Sequence, residues 1–173
     1  MRSRLIYMIF AICVLMAGIL VAIGFAESVA NAGGVPHSEI PGIQVGEDGA
    51  ARLQHIGSLA FAFQCLLLTL IALLSLLGVS ERYRTQELRI YLGGSLGLML
   101  AVGWQMYSGH QEFLETGVTG YFMGFPTATA WQLYGTWLGA IPLILIYSLG
   151  FRKYIYTAED EEKFNRLLAE KSD

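Results

Sequence analysis

Four stretches of this chain carry no charged side chain, and each is long enough to cross a lipid bilayer: residues 5–26, 56–79, 90–108 and 127–149. No single motif limits the fold as much. An α-helix rises 1.5 Å per residue, so residues 127–149 reach roughly 35 Å against a hydrocarbon core of about 30 Å. Lipid offers the backbone no hydrogen-bond partner, so an unbroken apolar run of this length has to pair its own amides as a helix. With 54% hydrophobic and only 14% charged residues, the composition is that of a multi-pass membrane chain. The expectation is an all-α membrane protein. Residues 1–153 form a four-transmembrane-helix bundle with outer loops at 27–55 and 109–126, and residues 154–173 form a short cytoplasmic amphipathic tail helix.

The basic residues orient the bundle. Arg2, Arg4, Arg82, Arg84, Arg89, Arg152, Lys153, Lys163, Arg166 and Lys171 fall on one side of a four-span arrangement, and of the 11 Lys and Arg only Arg52 falls on the other. By the positive-inside rule both termini are cytoplasmic, and the expected location is a bacterial inner membrane. Trp104, Tyr107, Tyr121, Trp131 and Tyr134 gather towards the outer interface, where amphipathic rings partition. The net charge of −3 argues against nucleic acid as a partner.

The first run follows a basic leader, Met1 to Arg4, and precedes a small-x-small step, Ala30-Asn31-Ala32, so a cleaved signal peptide competes with a retained span. The apolar region exceeds the 7–15 residues usual for signal peptides, which favours retention. Residues 27–54 are rich in Gly, Pro, Ala and acidic side chains and read as a mobile loop. Cys13 and Cys65 lie inside apolar runs, where they act as small hydrophobes.

Within the runs, small residues at four-residue spacing mark smooth faces where another helix can approach: Gly93 with Gly97, and Gly135 with Gly139. Pro126 precedes the last run, where a missing N–H is harmless, and Pro142 sits inside it, where a kink is expected. In the tail, Thr157-Ala158-Glu159-Asp160 has the form of a capping box, and Phe164, Leu167 and Leu168 share one face. Glu161 and Glu162 weaken attraction to anionic lipid, which points this face towards a protein.

Five hydrogen-bonding side chains collect in the outer half: His55, Gln64, Gln105, His110 and Gln132. Polar groups in hydrocarbon need partners, so they face the bundle interior, either as ties between helices or as an outer pocket for a ligand, a quinone or a metal. His55 and His110 are of the type that ligates haem, but no third strong ligand stands at helical spacing, so no metal is expected. Catalytic residues are expected to be absent as well. No carboxylate lies in any run, no phosphate loop or Ser–His–Asp set occurs, and Glu112 and Glu115 beside His110 have no nucleophile to serve.

The stretch Gly124-Phe125-Pro126, then Trp131-Gln132, then a helix leaving through Tyr147 and Phe151-Arg152-Lys153, resembles the last span of the small membrane subunits found beside sodium/solute symporters. Those subunits have a Gly-(Phe/Leu)-Pro step outside and an aromatic-basic exit inside. The resemblance covers Gly124 to Lys153, whereas the two further spans and the long acidic loop lie outside the pattern. It implies a non-enzymatic accessory subunit of a secondary transporter, without cofactor, whose partners are the bilayer, a larger membrane protein such as a permease, or a second copy. The alternative is a membrane anchor of a respiratory complex that holds haem b or quinone near His55 and His110.

Overall fold

The computed structural model describes residues 2–26, 35–45 and 49–172. The cleavage-like step at Ala30-Asn31-Ala32 and much of the acidic loop lie outside them. The chain forms α1 (Arg2–Gly24), a two-stranded ribbon of β1 (Val35–Pro36) and β2 (Gln44–Val45), α2 (Gly49–Gly78), a 3₁₀ turn (Glu81–Tyr83) and α3 (Gln86–Thr116). A hairpin of β3 (Tyr121–Phe122) and β4 (Phe125–Pro126) follows, then α4 (Thr127–Ala130), a π-helical turn (Trp131–Gly135), α5 (Thr136–Leu149), α6 (Phe151–Tyr154) and α7 (Ala158–Ser172). Among the described residues three helices are long and apolar enough to cross a membrane: Ser3–Gly24, His55–Gly78 and Thr127–Leu149. The protein is therefore an all-helical integral membrane protein apart from its two short ribbons. α3, at 31 residues, is longer than any of these spans but is diluted by Gly93, Gly94, Gly97, Gly103 and Gln105.

α1 packs on α2, α2 on α3 and α3 on α5. α2 and α5 finish together: Val79 at the end of α2, Leu88 and Leu92 at the start of α3, and Tyr154 beyond α5 form one buried cluster, flanked by Leu143, Ile146 and Tyr147. The Tyr147 hydroxyl donates to the Ser75 carbonyl, joining α5 to α2. α3 runs back between them. Among the described side chains of α1 only Leu5 is buried, so its apolar surface is left for lipid.

Several helices are longer than their apolar runs. α2 begins at Gly49 rather than 56, because Ala50, Ala51, Arg52 and Leu53 are good helix formers whatever their polarity. α3 continues past residue 108 to Thr116, so the first part of the expected loop at 109–126 is helix and its end is a hairpin. It stops where Gly117 adopts φ 69 and donates its N–H to the Phe113 carbonyl, a left-handed cap that glycine adopts without strain. The hairpin then turns on Met123 (φ 47) and Gly124 (φ 85). A two-residue loop of the type I′ kind needs both central residues at positive φ, and Gly124 meets that freely while Met123 does so at a cost.

The Gly135 and Gly139 face lies against α3 of the same chain. A Cβ on Gly135 would stand 2.9 Å from Val102 Cγ1 and 2.8 Å from the Trp131 ring, and one on Gly139 would meet Met99 Sδ at 2.6 Å. Gly93 and Gly97 are exposed, with nothing within 4 Å of a Cβ. Gly135→Ala is therefore expected to lower the thermal midpoint in detergent by an overpacking cost of about 1–3 kcal/mol. Gly97→Ala should leave the midpoint unchanged or slightly raised through helix propensity. Equal midpoints for the two variants would contradict this packing.

At the basic end the connections are tied to one another. Arg84 donates from Nε to the Val79 carbonyl (2.8 Å) and from a guanidinium nitrogen to that of Leu77 (3.0 Å), covering carbonyls that the end of α2 leaves unpaired. The capping box is formed: the Asp160 N–H donates to Thr157 Oγ1 (3.4 Å), and the Thr157 N–H donates back to the Asp160 carboxylate (3.1 Å). The Tyr83 hydroxyl, from the turn between α2 and α3, bonds both Thr157 (2.9 Å) and Asp160 (3.0 Å). Ion pairs Arg82–Glu159, Arg152–Glu161 and Lys153–Glu87 surround it.

The Thr157 hydroxyl and N–H, then Tyr83 and the Arg82 charge, hold the Asp160 carboxyl below the usual aspartate range. A depressed folded-state pKa means that this contribution is complete above the ordinary value and disappears as pH falls through the folded one, below about pH 4. Amide exchange in the first turn of α7, corrected for intrinsic rates, should accelerate at pH 7 in Tyr83→Phe and Asp160→Asn, and in the wild type only below that pH. If neither variant exchanges faster, the ion pairs alone hold the tail.

Candidate functional site

Opposite the basic end, α2, α3 and the α4–π segment enclose a cleft of about 320 Å³. α2 contributes Gly57, Ala60, Phe61 and Gln64, which recur every three or four residues and so share a face. α3 contributes Met106, Tyr107, His110 and Gln111, while Ala128, Thr129 and Gln132 close the third side.

Glycines line the contacts between the elements around the cleft. Gln64 lies over Gly103, with its amide nitrogen 3.4 Å from where a Cβ would be, and Gly57 faces the Gln111 amide nitrogen at 3.5 Å. Gly109 lets the backbone of Ala128 come to 3.7 Å of its Cβ position. Above, the hairpin rests on the π turn, with Phe122 and Phe125 meeting Tyr134 edge to face at 6.0 and 6.2 Å. Gln132 lies inside that turn, and π turns interrupt a helix at a cost, frequently where a side chain must be re-aimed for function.

Phe61 and Tyr107 stack at 4.6 Å with 17° between their planes, and Trp104 stands behind them at 5.9 and 6.1 Å. The lining holds no charged residue. The Nε2 atom of His110 is buried and has no hydrogen-bond partner among the described residues.

Three of the five expected polar residues meet here: Gln64, His110 and Gln132. His55 is exposed and Gln105 is exposed, and neither lines the cleft. Helical geometry explains both. At about 100° per residue, His55 stands about 180° around α2 from Gln64, and Gln105 about 140° around α3 from His110. Gln111, Phe61 and Thr129 were not singled out from sequence, and Tyr107 was read only as an interfacial aromatic, although Gly57, Phe61 and Gln64 already form an i, i+4, i+7 stripe. His37 is engaged elsewhere, its Nδ1 accepting the N–H groups of Glu39 and Ile40 at 3.1 Å each. Among the described residues no three His, Cys, Asp or Glu side chains converge as metal ligands.

Chemically, the cleft offers hydrogen-bond donors and acceptors beside flat aromatic surface, without charge. No family model, curated protein or solved structure matches the chain. What fold and composition define is the class: an all-helical integral membrane protein.

The contact of Gln64 with Gly103 can be tested. Gly103→Leu should displace the amide, separate α2 from α3 and lower the thermal midpoint, at an overpacking cost of about 1–3 kcal/mol. Gly109→Ala places its methyl at ordinary contact distance, 3.7 Å, and should be nearly silent. A silent Gly103→Leu would mean that the helices are not this close.

Proposed function

We propose that this protein is a non-enzymatic, four-span accessory subunit of a larger membrane complex, a secondary transporter of the sodium/solute symporter kind, with both termini in the cytoplasm of a bacterial inner membrane. The observation that carries the reading is an unpartnered face on α3. Gly94, Gly97, Leu98, Ala101 and Gln105 lie along one exposed side, and nothing approaches the two glycines within 4 Å. An amide left against hydrocarbon is unfavourable, while small residues beside it let another backbone come close enough to pair it. The face continues into an apolar groove of about 660 Å³ between α3 and α5, lined by Ile90, Gly94, Pro142, Leu145 and Leu149 and bounded by the Lys153–Glu87 pair.

Four spans are supported by direction. α2 and α5 both end at the Val79–Leu88–Tyr154 cluster, so the chain between them returns across the same thickness, and α3 is the helix that does so. The basic residues at that end support its cytoplasmic placement. The four apolar runs contain no carboxylate, lysine or arginine to carry ions or protons alone, which favours an accessory role over independent transport.

Purification of the tagged chain in mild detergent from its own host, followed by mass spectrometry, should recover a polytopic permease in stoichiometric amount. Gly94→Leu with Gly97→Leu should lose that partner while leaving membrane insertion and thermal midpoint intact. Recovery of the chain alone as a dimer that the same variants dissociate would assign the face to self-association, and respiratory subunits in place of a permease would overturn the transporter reading.

A further inference from the structure

The accessory-subunit reading makes no use of the cleft, in which one buried polar atom has no partner among the described residues. Buried polar groups in proteins nearly always have partners, and one left orphaned calls for a missing one. His110 Nε2 is such an atom. Around it Gln64, Gln111 and Gln132 make no hydrogen bond with any described residue, and neither does Thr129. One buried imidazole atom without a partner, beside three glutamines that line the same cavity, marks a recognition surface awaiting an occupant.

The lining limits what that occupant is. With no charged side chain in the cleft, an ionic ligand would lose its hydration without a counter-charge, so the occupant is neutral. It carries acceptors for the amide N–H groups. An imidazole Nε2 donates or accepts according to tautomer, so it meets either a carbonyl or a hydroxyl. The stacked Phe61–Tyr107 pair presents flat aromatic surface suited to a planar ring. At about 320 Å³ the cleft is at the small end of the usual range for ligand pockets, about 300–1,000 Å³. That suits one ring-sized head whose remainder lies in the bilayer. With His55 outside the lining, a second axial imidazole for haem is missing from it.

We propose that the cleft between α2, α3 and the π turn binds the head of a membrane quinone, a neutral planar dicarbonyl ring on a hydrocarbon tail, with His110 Nε2 as its principal hydrogen-bond partner and Gln64 and Gln132 on its flanks. Oxidised and reduced heads are both accommodated, because amides and imidazole each donate and accept. The site stands independently of any partner complex.

The test uses the full chain in lipid nanodiscs, with a decyl-tailed benzoquinone and menaquinone-2 as probes. Trp104, beside Phe61 and Tyr107, reports through quenching of its emission. Saturable quenching by at least one probe is expected, with decanol unable to compete. His110→Ala should weaken binding about tenfold, as loss of one hydrogen bond in a shielded site does. Ala60→Phe, a substitution at an exposed lining position, should abolish binding by filling the cleft while the chain still folds. Leu15→Ala, on the exposed surface of α1 and outside the cleft, should leave the quenching unchanged. Quenching that never saturates with either probe, equal competition by decanol, or saturable binding that survives Ala60→Phe would each overturn the proposal. A permease recovered by co-purification alongside non-saturable quenching would remove the quinone site and leave the accessory role standing.

Discussion

The close approach of α3 to α5 holds the molecule together. Val102 and Met99 fill the space left by the missing side chains of Gly135 and Gly139. One residue further, Gly103 is turned towards α2 and accepts Gln64 in the same manner. Two neighbouring positions on α3 thus bring a different helix onto each side. In lipid there is little hydrophobic gain from joining apolar helices, so association depends on dispersion between backbones that come close and on polar contacts between them. A Cβ at Gly135 would press on Val102 and the Trp131 ring, and a bulky side chain at Gly103 would displace Gln64, loosening the contacts of α3 with α5 and α2.

The basic end works by different physics. Here water is near, and single exposed ion pairs such as Arg152–Glu161 contribute little individually. What gives this end definition is the sharing of partners. Tyr83 hydrogen-bonds both halves of the α7 capping box, and Lys153 from α6 pairs with Glu87 in the first turn of α3 at 2.5 Å, holding that carboxyl below its usual range. Movement of α7 is therefore coupled through Tyr83 to the α2–α3 turn, and through Arg152–Glu161 to α6, whose Lys153 holds the start of α3. A partner that seized the apolar stripe of Phe164, Leu167 and Leu168 would act on the bundle by this route.

Both functional proposals follow from polar groups that the chain places without satisfying. On α3, Gln105 looks outward among small residues, and His110 looks into the cleft, about 140° away around the helix. The outward amide asks for another helix, since only a close backbone or side chain can reach it. The inward imidazole sits in a space too small for a helix and suited to a ring. On the two proposals, one helix separates an assembly face from a ligand face, and partner binding on the first would leave the second open.

Much of this organisation is legible in the sequence. Uncharged runs of spanning length become helices because lipid leaves the backbone no other way to pair its amides, and Thr157-x-x-Asp160 forms its cap because both partners lie within one turn. Helix ends were less legible, since α2 and α3 extend into polar segments where helix propensity, not hydropathy, decides. Composition alone could not rank the glycine pairs. Gly93–Gly97 and Gly135–Gly139 have the same spacing, yet only the second meets its own chain, because which face of a helix turns inward depends on its neighbours. The cleft shows the same division. Sequence determined that amides and imidazoles gather at one end of the bundle, whereas tertiary structure decided which share a cavity. Rotation about a helix axis sends His55 and Gln105 outward and brings Gln111, Tyr107 and Phe61 in.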